Sequence, residues 1–256
     1  MSKIQEFNEL HTSSDLLFLG NAWDLLSALL LEKAGFKAIG TTSWGIANTL
    51  GFPDGERIPF DKHLAIIQAI TENVNVPVSA DIEAGYSEAE DTIIQHVLQT
   101  ANVGVAGINL EDSLKTKNGL REIKDHCRLL TKMRIALDQN GFKNFFINAR
   151  TDTYLQSNFA LSETIERAAA YVGSGASGIF VPGLVNEDEI KEVSSTVKVS
   201  LNVLSVPGLT NCEKLKEIGV TRFSFGNAFS DQVIASIEKN ATQLVKGMDT
   251  ELLYKH

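Results

Sequence analysis

Basic charge, cysteine and proline are all scarce in this 256-residue chain: 23 lysines and arginines stand against 32 aspartates and glutamates, beside two cysteines and five prolines. The formal net charge of -9 disfavours nucleic acid or an anionic membrane, which want a basic face, so the expected partner is a small molecule. Cys127 and Cys212 have no C-x-x-C spacing, which gives neither a disulfide framework nor a zinc site. No apolar run approaches the roughly 18 residues of a membrane span. The first residues, Met1-Ser2-Lys3-Ile4-Gln5-Glu6-Phe7, are polar and acidic where a secretory signal needs an apolar core, and a cytoplasmic location is expected. G-x-x-x-x-G-K-[ST], G-x-G-x-x-G and G-x-S-x-G are also absent, so nucleotide binding and serine hydrolysis find no support.

What the chain does contain is alternation. Apolar strand-like runs at 16–19, 38–42, 77–80, 105–110, 145–149, 178–181, 197–204 and 222–226 are separated by helical patterns at 25–34, 60–72, 88–101, 121–140, 161–172 and 209–218, and a long helix follows over 228–246. No Pro/Gly/Ser-rich linker interrupts them, so a single domain over 1–256 is expected. About eight strand-helix units predict an α/β fold of the (β/α)8 barrel type. The phrases Val105-Ala106-Gly107-Ile108 and Ala176-Ser177-Gly178-Ile179 repeat one helix-to-strand junction. Residues 43–55 read as a long loop, and loops of that length in a compact domain usually bind something.

Three of the runs end in charge. Asp81 and Glu83 lie two apart, so on a strand they face one way, and Gly85 lets the chain turn after them. Glu111-Asp112 and Arg150-Thr151-Asp152 close the next two runs. In a barrel of this type the C-terminal strand ends form the active face, where Ser43, Asp54, Asp81, Glu83, Glu111 and Arg150 all fall. Four acids on one mouth repel one another unless a cation intervenes. The candidate donors are oxygens, and the five histidines are scattered, His96 and His126 on helices; this favours Mg2+, with Mn2+ as the substitute, over zinc. Arg150 is expected to meet a substrate carboxylate, or Asp152 internally, or both. The polar stretch 113–119 that follows Glu111 suits a lid.

These residues resemble the isocitrate lyase/phosphoenolpyruvate mutase superfamily. The likeness rests on Leu50-Gly51-Phe52-Pro53-Asp54, Ala80-Asp81-Ile82-Glu83-Ala84-Gly85-Tyr86, Ile108-Asn109-Leu110-Glu111-Asp112 and Asn148-Ala149-Arg150-Thr151-Asp152, in that order. The resemblance implies Mg2+ bound by Asp81, with Glu83, Glu111 and Asp54 around its waters. It assigns the 2-oxo-carboxylate end of the substrate to Ser43, Trp44, Gly45 and Arg150; Asn202, on the run over 197–204, is taken as a further substrate contact. It also implies a homodimer or homotetramer whose last helix, within the final ~25 residues, is swapped between subunits at the interface.

Two departures narrow the expected activity. The lid reads Lys115-Thr116-Lys117-Asn118-Gly119, without the cysteine and histidine of isocitrate and methylisocitrate lyases, so Lys115 or Lys117 is the expected lid catalyst and Asp54 the alternative acid or base. Pro182-Gly183 stands where relatives place an acidic or histidine side chain. The expectation is a Mg2+-dependent lyase acting on a 2-oxo acid such as oxaloacetate, by carbon-carbon cleavage or decarboxylation. Its alternatives are a phosphonopyruvate hydrolase or phosphoenolpyruvate phosphonomutase, and a non-catalytic dicarboxylate-binding barrel.

Overall fold

Short runs rich in β-branched and small apolar residues alternate with amphipathic helices, and in the computed structural model, which describes residues 1–116 and 118–254, eight strands close into one parallel barrel in chain order. After α1 (Lys3–Thr12) come β1 (Leu17–Ala22), α2 (Leu25–Ala34), β2 (Ile39–Thr41), α3 (Ser43–Thr49), α4 (Phe60–Thr71), β3 (Val78–Asp81), α5 (Glu90–Asn102), β4 (Gly107–Glu111) and α6 (Ile123–Gln139). The second half runs β5 (Phe146–Arg150), α7 (Thr153–Gln156), α8 (Ala160–Gly173), β6 (Gly178–Val181), α9 (Glu187–Val197), β7 (Ser200–Leu204), α10 (Cys212–Glu217), β8 (Arg222–Ser224) and α11 (Ala228–Gly247). Pairing of Leu17 with Arg222 and Phe18 with Phe223 closes the ring. Lys117, one of the expected lid lysines, lies outside the described residues.

The barrel interior is layered by strand alternation. Its middle is polar: Asn148 Nδ2 donates to Asn109 Oδ1 (2.9 Å) and Asn202 Oδ1 (3.2 Å), and Arg222 Nη2 donates to Asn109 Oδ1 (3.2 Å). Arg222 is fully buried and has no carboxylate in hydrogen-bond contact, so burial lowers its pKa to about 9. Beneath it α1 plugs the N-terminal end. Phe7 meets Phe146 edge-on at 5.4 Å between centroids, and Arg222 lies 5.8 Å over the Phe7 ring. Gly107 makes room for this plug, because a Cβ there would sit 2.6 Å from the Phe146 carbonyl oxygen. Outside, helices bury apolar stripes at helical spacing, such as Ile93, Val97 and Ala101 of α5 or Leu129, Met133 and Leu137 of α6. Each large side chain so buried contributes about 1.5–3 kcal/mol.

The structure departs from the sequence pattern in three places. The expected loop over 43–55 opens as a helix, α3, because Thr42 at its N-cap accepts from the Gly45 N–H. The helix expected over 209–218 starts only at Cys212; Gly208 turns with φ +89°, and the Asn211 side chain caps the shortened helix. The strand expected from 197 begins at Ser200, since α9, capped by Asn186, runs to Val197 and ends on Lys198 at φ +46°. Among the described residues no helix is long and apolar enough to cross a membrane.

Candidate active site

The charged strand ends do meet. A cavity of about 310 Å³ at the C-terminal end of the barrel is lined by Ser43, Trp44, Asp54, Asp81 and Arg150, among others. Arg150 joins β5 to β4 through Nη1, 3.0 Å from Glu111 Oε2. Its other edge is held by Asp152, with Nε to Oδ1 at 2.6 Å and Nη2 to Oδ2 at 3.1 Å, so the internal bridge forms and the guanidinium also faces the cavity. Burial disfavours the Arg150 charge, but Glu111 and Asp152 more than compensate, and its pKa lies above the ordinary arginine value.

Asp81 ends β3 with several contacts. Its Oδ2 accepts from the Ser43 hydroxyl at 3.1 Å and more weakly from the Ser43 N–H at 3.4 Å, while His63 Nε2 donates to its carbonyl oxygen at 2.9 Å. Its other carboxylate oxygen, Oδ1, is buried with no hydrogen-bond partner. An unpartnered anionic oxygen at the wall of a polar cavity is costly without a cation or a donor.

The other two expected metal carboxylates are arranged differently from the expectation. Glu83 and Glu111 are buried, and Lys115 Nζ lies between them at 2.8 Å and 2.6 Å. Among the described residues no three histidine, cysteine, aspartate or glutamate side chains gather as a bare metal-binding group. Lys115 and Arg150 neutralise Glu83 and Glu111 from within. Burial pushes the Glu111 carboxyl up to about 7, with Arg150 and Lys115 pulling it the other way. The pKa of Lys115 is raised, because Glu111 and Glu83 outweigh its burial.

Asp54 lines the cavity on the segment after α3. Partial burial, then the charges of Glu83 and Asp81, raise its pKa. Ser43 spends its hydroxyl on Asp81, and Trp44 Nε1 donates to Asp231 Oδ1 of α11 at 2.9 Å. Gly45 lies against Trp23, where a Cβ would meet the Trp23 Cβ at 2.6 Å, so glycine there admits close packing. Asn202 does not line the cavity; it is fully buried in the polar layer, its Nδ2 donating to the carbonyl oxygens of Val203 (2.9 Å) and Arg222 (3.3 Å). The expected lid closes on itself through an antiparallel bridge between Ser113 and Leu120.

Several supporting residues escape a sequence reading. Glu56 Oε1 accepts from the N–H groups of Ala84 (2.9 Å) and Tyr86 (2.7 Å), tying the segment after α3 to the turn that carries Glu83. Asp112 is fully buried and accepts from Thr151 Oγ1 (2.7 Å), the Asp152 N–H (3.1 Å) and Tyr171 OH (2.7 Å), with Arg167 Nη1 at 3.3 Å. Arg167 and Tyr171 sit one helical turn apart on α8, a spacing that sequence shows but does not distinguish from a solvated face.

Comparison with known proteins agrees with this fold. The family model described as phosphoenolpyruvate phosphomutase matches residues 7–245. An uncharacterised protein of Mycobacterium tuberculosis is 40% identical over 199 residues, covering 77% of this chain and 73% of its own length. The 2,3-dimethylmalate lyase of Eubacterium barkeri is 30% identical over 203 residues, covering 77% of this chain and 69% of its own. In structure, a phosphonomutase candidate from Burkholderia cenocepacia J2315 superposes with a TM-score of 0.90 at 32% identity, over 94% of this chain and 99% of the other. The chain therefore belongs to the phosphoenolpyruvate phosphomutase family, and so to the isocitrate lyase/PEP mutase superfamily of lyases and mutases.

Proposed function

We propose that this enzyme breaks a carbon-carbon bond of a 2-oxo acid, oxaloacetate being the simplest candidate, with Mg2+ or Mn2+ held at Asp81. The observation that carries the reading is the buried, unpartnered Oδ1 of Asp81 in the cavity that Arg150 also lines. Mg2+ characteristically takes one or two carboxylates and keeps several waters. Asp81 offers the direct ligand, and the neighbouring Asp54, Glu83 and Glu111 suit a role as acceptors for those waters. When bound, such a cation withdraws electrons from the oxo group and favours the negative charge that develops on its oxygen.

The chain's own residues supply position and protons. Arg150, braced by Asp152 and Glu111, has N–H groups left for the substrate carboxylate. Ser43 fixes Asp81, and Trp44 borders the same space. Lys115 balances the buried charges of Glu83 and Glu111, and its raised pKa makes it a poor acid. Asp54, with a raised pKa and one side open to the cavity, is the better proton carrier. The test is a panel of 2-oxo acids and phosphonopyruvate, assayed with Mg2+ and with EDTA; product from a 2-oxo acid that requires the metal is expected. The family description and the Burkholderia structure favour carbon-phosphorus chemistry as a second reading. Phosphate or phosphoenolpyruvate formed from phosphonopyruvate, followed by 31P NMR, would select it.

The same proposal extends to assembly. Of the twenty residues of α11 only Ser230 is buried, and Phe229, Ile234, Ile237 and Val245 are exposed. Between α2 and α11 lies an apolar cavity of about 680 Å³ lined by Leu30, Phe36, Phe225 and Val233, among others. A homodimer or homotetramer exchanging α11 covers both surfaces. Light scattering of the purified protein should give a mass of at least twice 27.9 kDa.

A further inference from the structure

We infer that Asn109 touches the substrate, its side-chain amide donating a hydrogen bond to the 2-oxo oxygen. This rests on the proposed function and names the group that meets the reacting end of a 2-oxo acid. Asn109 lines the cavity, although only 8% of its surface is exposed. Its strand, β4, lies between β3 and β5 in the barrel. There it stands in register with Asp81 on one side and Asn148 on the other, one inward step deeper than the Glu111 and Arg150 pair. It therefore forms the cavity floor between the acid proposed for the cation and the arginine proposed for the carboxylate.

The hydrogen bonds beneath fix which end of the amide faces the cavity. A guanidinium can only donate, so the Asn109 atom 3.2 Å from Arg222 Nη2 is the oxygen. The same oxygen accepts from Asn148 Nδ2 at 2.9 Å. Asn148 cannot be turned round, because its Nδ2 also donates to Asn202 Oδ1 at 3.2 Å. The Asn202 amide is held in turn by the carbonyl oxygens of Val203 and Arg222, which can only accept. A donor-only group at one end and acceptor-only groups at the other leave this network a single polarity. Asn109 Oδ1 is thus engaged inward, and Nδ2, which has no acceptor among the described residues, is the end left for the cavity.

A donor on a side chain buried to more than nine-tenths calls for an acceptor. Asp81 Oδ1, on the neighbouring strand at the same level, is also without a partner, so these complementary groups do not satisfy each other. A cation suits the acid, and an oxygen acceptor suits the amide. A 2-oxo acid supplies that acceptor through its oxo oxygen, while Arg150, one step higher, keeps the carboxylate. In the decarboxylation of oxaloacetate the C3–C4 electron pair moves into C2–C3, the carbonyl pair settles on the 2-oxo oxygen and carbon dioxide leaves; Asp54 then delivers a proton to C3. A donor already fixed at that oxygen gains strength as the charge develops and needs no reorganisation.

The experiment combines calorimetric titration with oxalate and the isotope-edited infrared spectrum of bound [2-13C]pyruvate, both with Mg2+ present. Pyruvate carries the oxo group and the carboxylate but no bond for the enzyme to break. Asn109→Asp keeps the acceptor for Asn148 and Arg222 and replaces the donor. Asn109→Leu removes the donor without adding charge, and leaves Asn148 and Arg222 their other acceptors, Asn202 and Ser79. Both variants are expected to weaken oxalate about 10- to 100-fold while retaining Mn2+ binding in the absence of oxalate. The C2=O stretch of bound pyruvate is expected at lower frequency in the unaltered protein than in either variant, because the hydrogen bond weakens the carbonyl. Asn109→Asp, which gives buried Arg222 a carboxylate partner, should keep its thermal midpoint and so carries the test if Asn109→Leu does not fold. Unchanged oxalate affinity, an unmoved C2=O stretch, or loss of Mn2+ together with oxalate overturns the inference and leaves the proposed function standing. Failure of the unaltered protein to bind oxalate and pyruvate overturns the proposed function, and this inference with it.

Discussion

The ammonium group of Lys115 lies 2.6 Å from a carboxylate oxygen of Glu111, a residue buried to all but 3% of its surface. This contact, with the one to Glu83, makes the lid lysine a counter-charge for acids in the barrel mouth. Removing it leaves two buried carboxylates with less compensation. Lys115→Ala is expected to lower stability by about 2–3 kcal/mol, below the usual penalty for a stranded buried ion because the lysine is partly exposed. Mg2+ should restore much of that loss, so the difference in thermal midpoint between variant and parent narrows on adding the metal. A gap independent of Mg2+ would separate Lys115 from the metal site.

Asp112 supports the site from behind. It orders Thr151 and the Asp152 backbone, and Asp152 in turn grips Arg150. Asp112→Ala leaves the Thr151 and Tyr171 hydroxyls and the Asp152 N–H without their shared buried acceptor and Arg167 with Glu163 as its carboxylate partner, and is expected to cost about 3–5 kcal/mol, or about 6–20 °C in melting temperature. Asp112→Asn, which keeps the shape and two acceptor lone pairs, should cost clearly less. Calorimetry of both variants checks this; equal losses would mean that the charge, which both variants lack, carries the whole effect and that the retained shape and acceptor contribute nothing.

Stability should fall in mild acid through two histidines remote from the cavity. His126 is fully buried among Tyr171, Arg121 and Arg167, and burial followed by the two arginine charges lowers its pKa to about 3. His11, stacked on Phe146, is likewise lowered to about 3 by burial and then by Arg222, against a hydrogen bond to the Phe7 carbonyl. Both have folded pKa values below the unfolded value of 6.5, so the unfolded chain takes up protons first as pH falls. Their destabilisation begins near pH 6.5 and grows to about 2 kcal/mol each at pH 5. His126→Phe should flatten the urea-midpoint profile over this range. An unchanged profile would mean that other groups dominate.

Much of the fold was legible because strand period, helix period and glycine stops agree along the chain, and Asp81, Glu111 and Arg150 do converge at one end of the barrel. The site was less so. Sequence places Glu83 and Glu111 beside Asp81 but does not show that Lys115 folds back between them, a tertiary contact with no local signature. Asn202 is expected as a substrate contact two residues before the end of its strand, but its side chain sits a layer deeper, bonded to Asn148 and to the carbonyls of Val203 and Arg222, and Leu204 is the β7 residue that lines the cavity. Trp44 and Ser43 looked like loop residues because Thr42, the cap that starts α3, is one hydroxyl among many. Asp112 follows β4 while Arg167 and Tyr171 share α8, and only the closed barrel joins them.

The central claim is a divalent cation on Asp81, and Mn2+ binding followed by the EPR signal of the free aquo ion tests it most directly, with and without oxalate. The account predicts that the native protein depletes the free signal, more strongly with oxalate present, and that Asp81→Asn weakens binding by at least about 100-fold. Binding of equal strength in Asp81→Asn, or none by the native protein in the presence of oxalate, would contradict it.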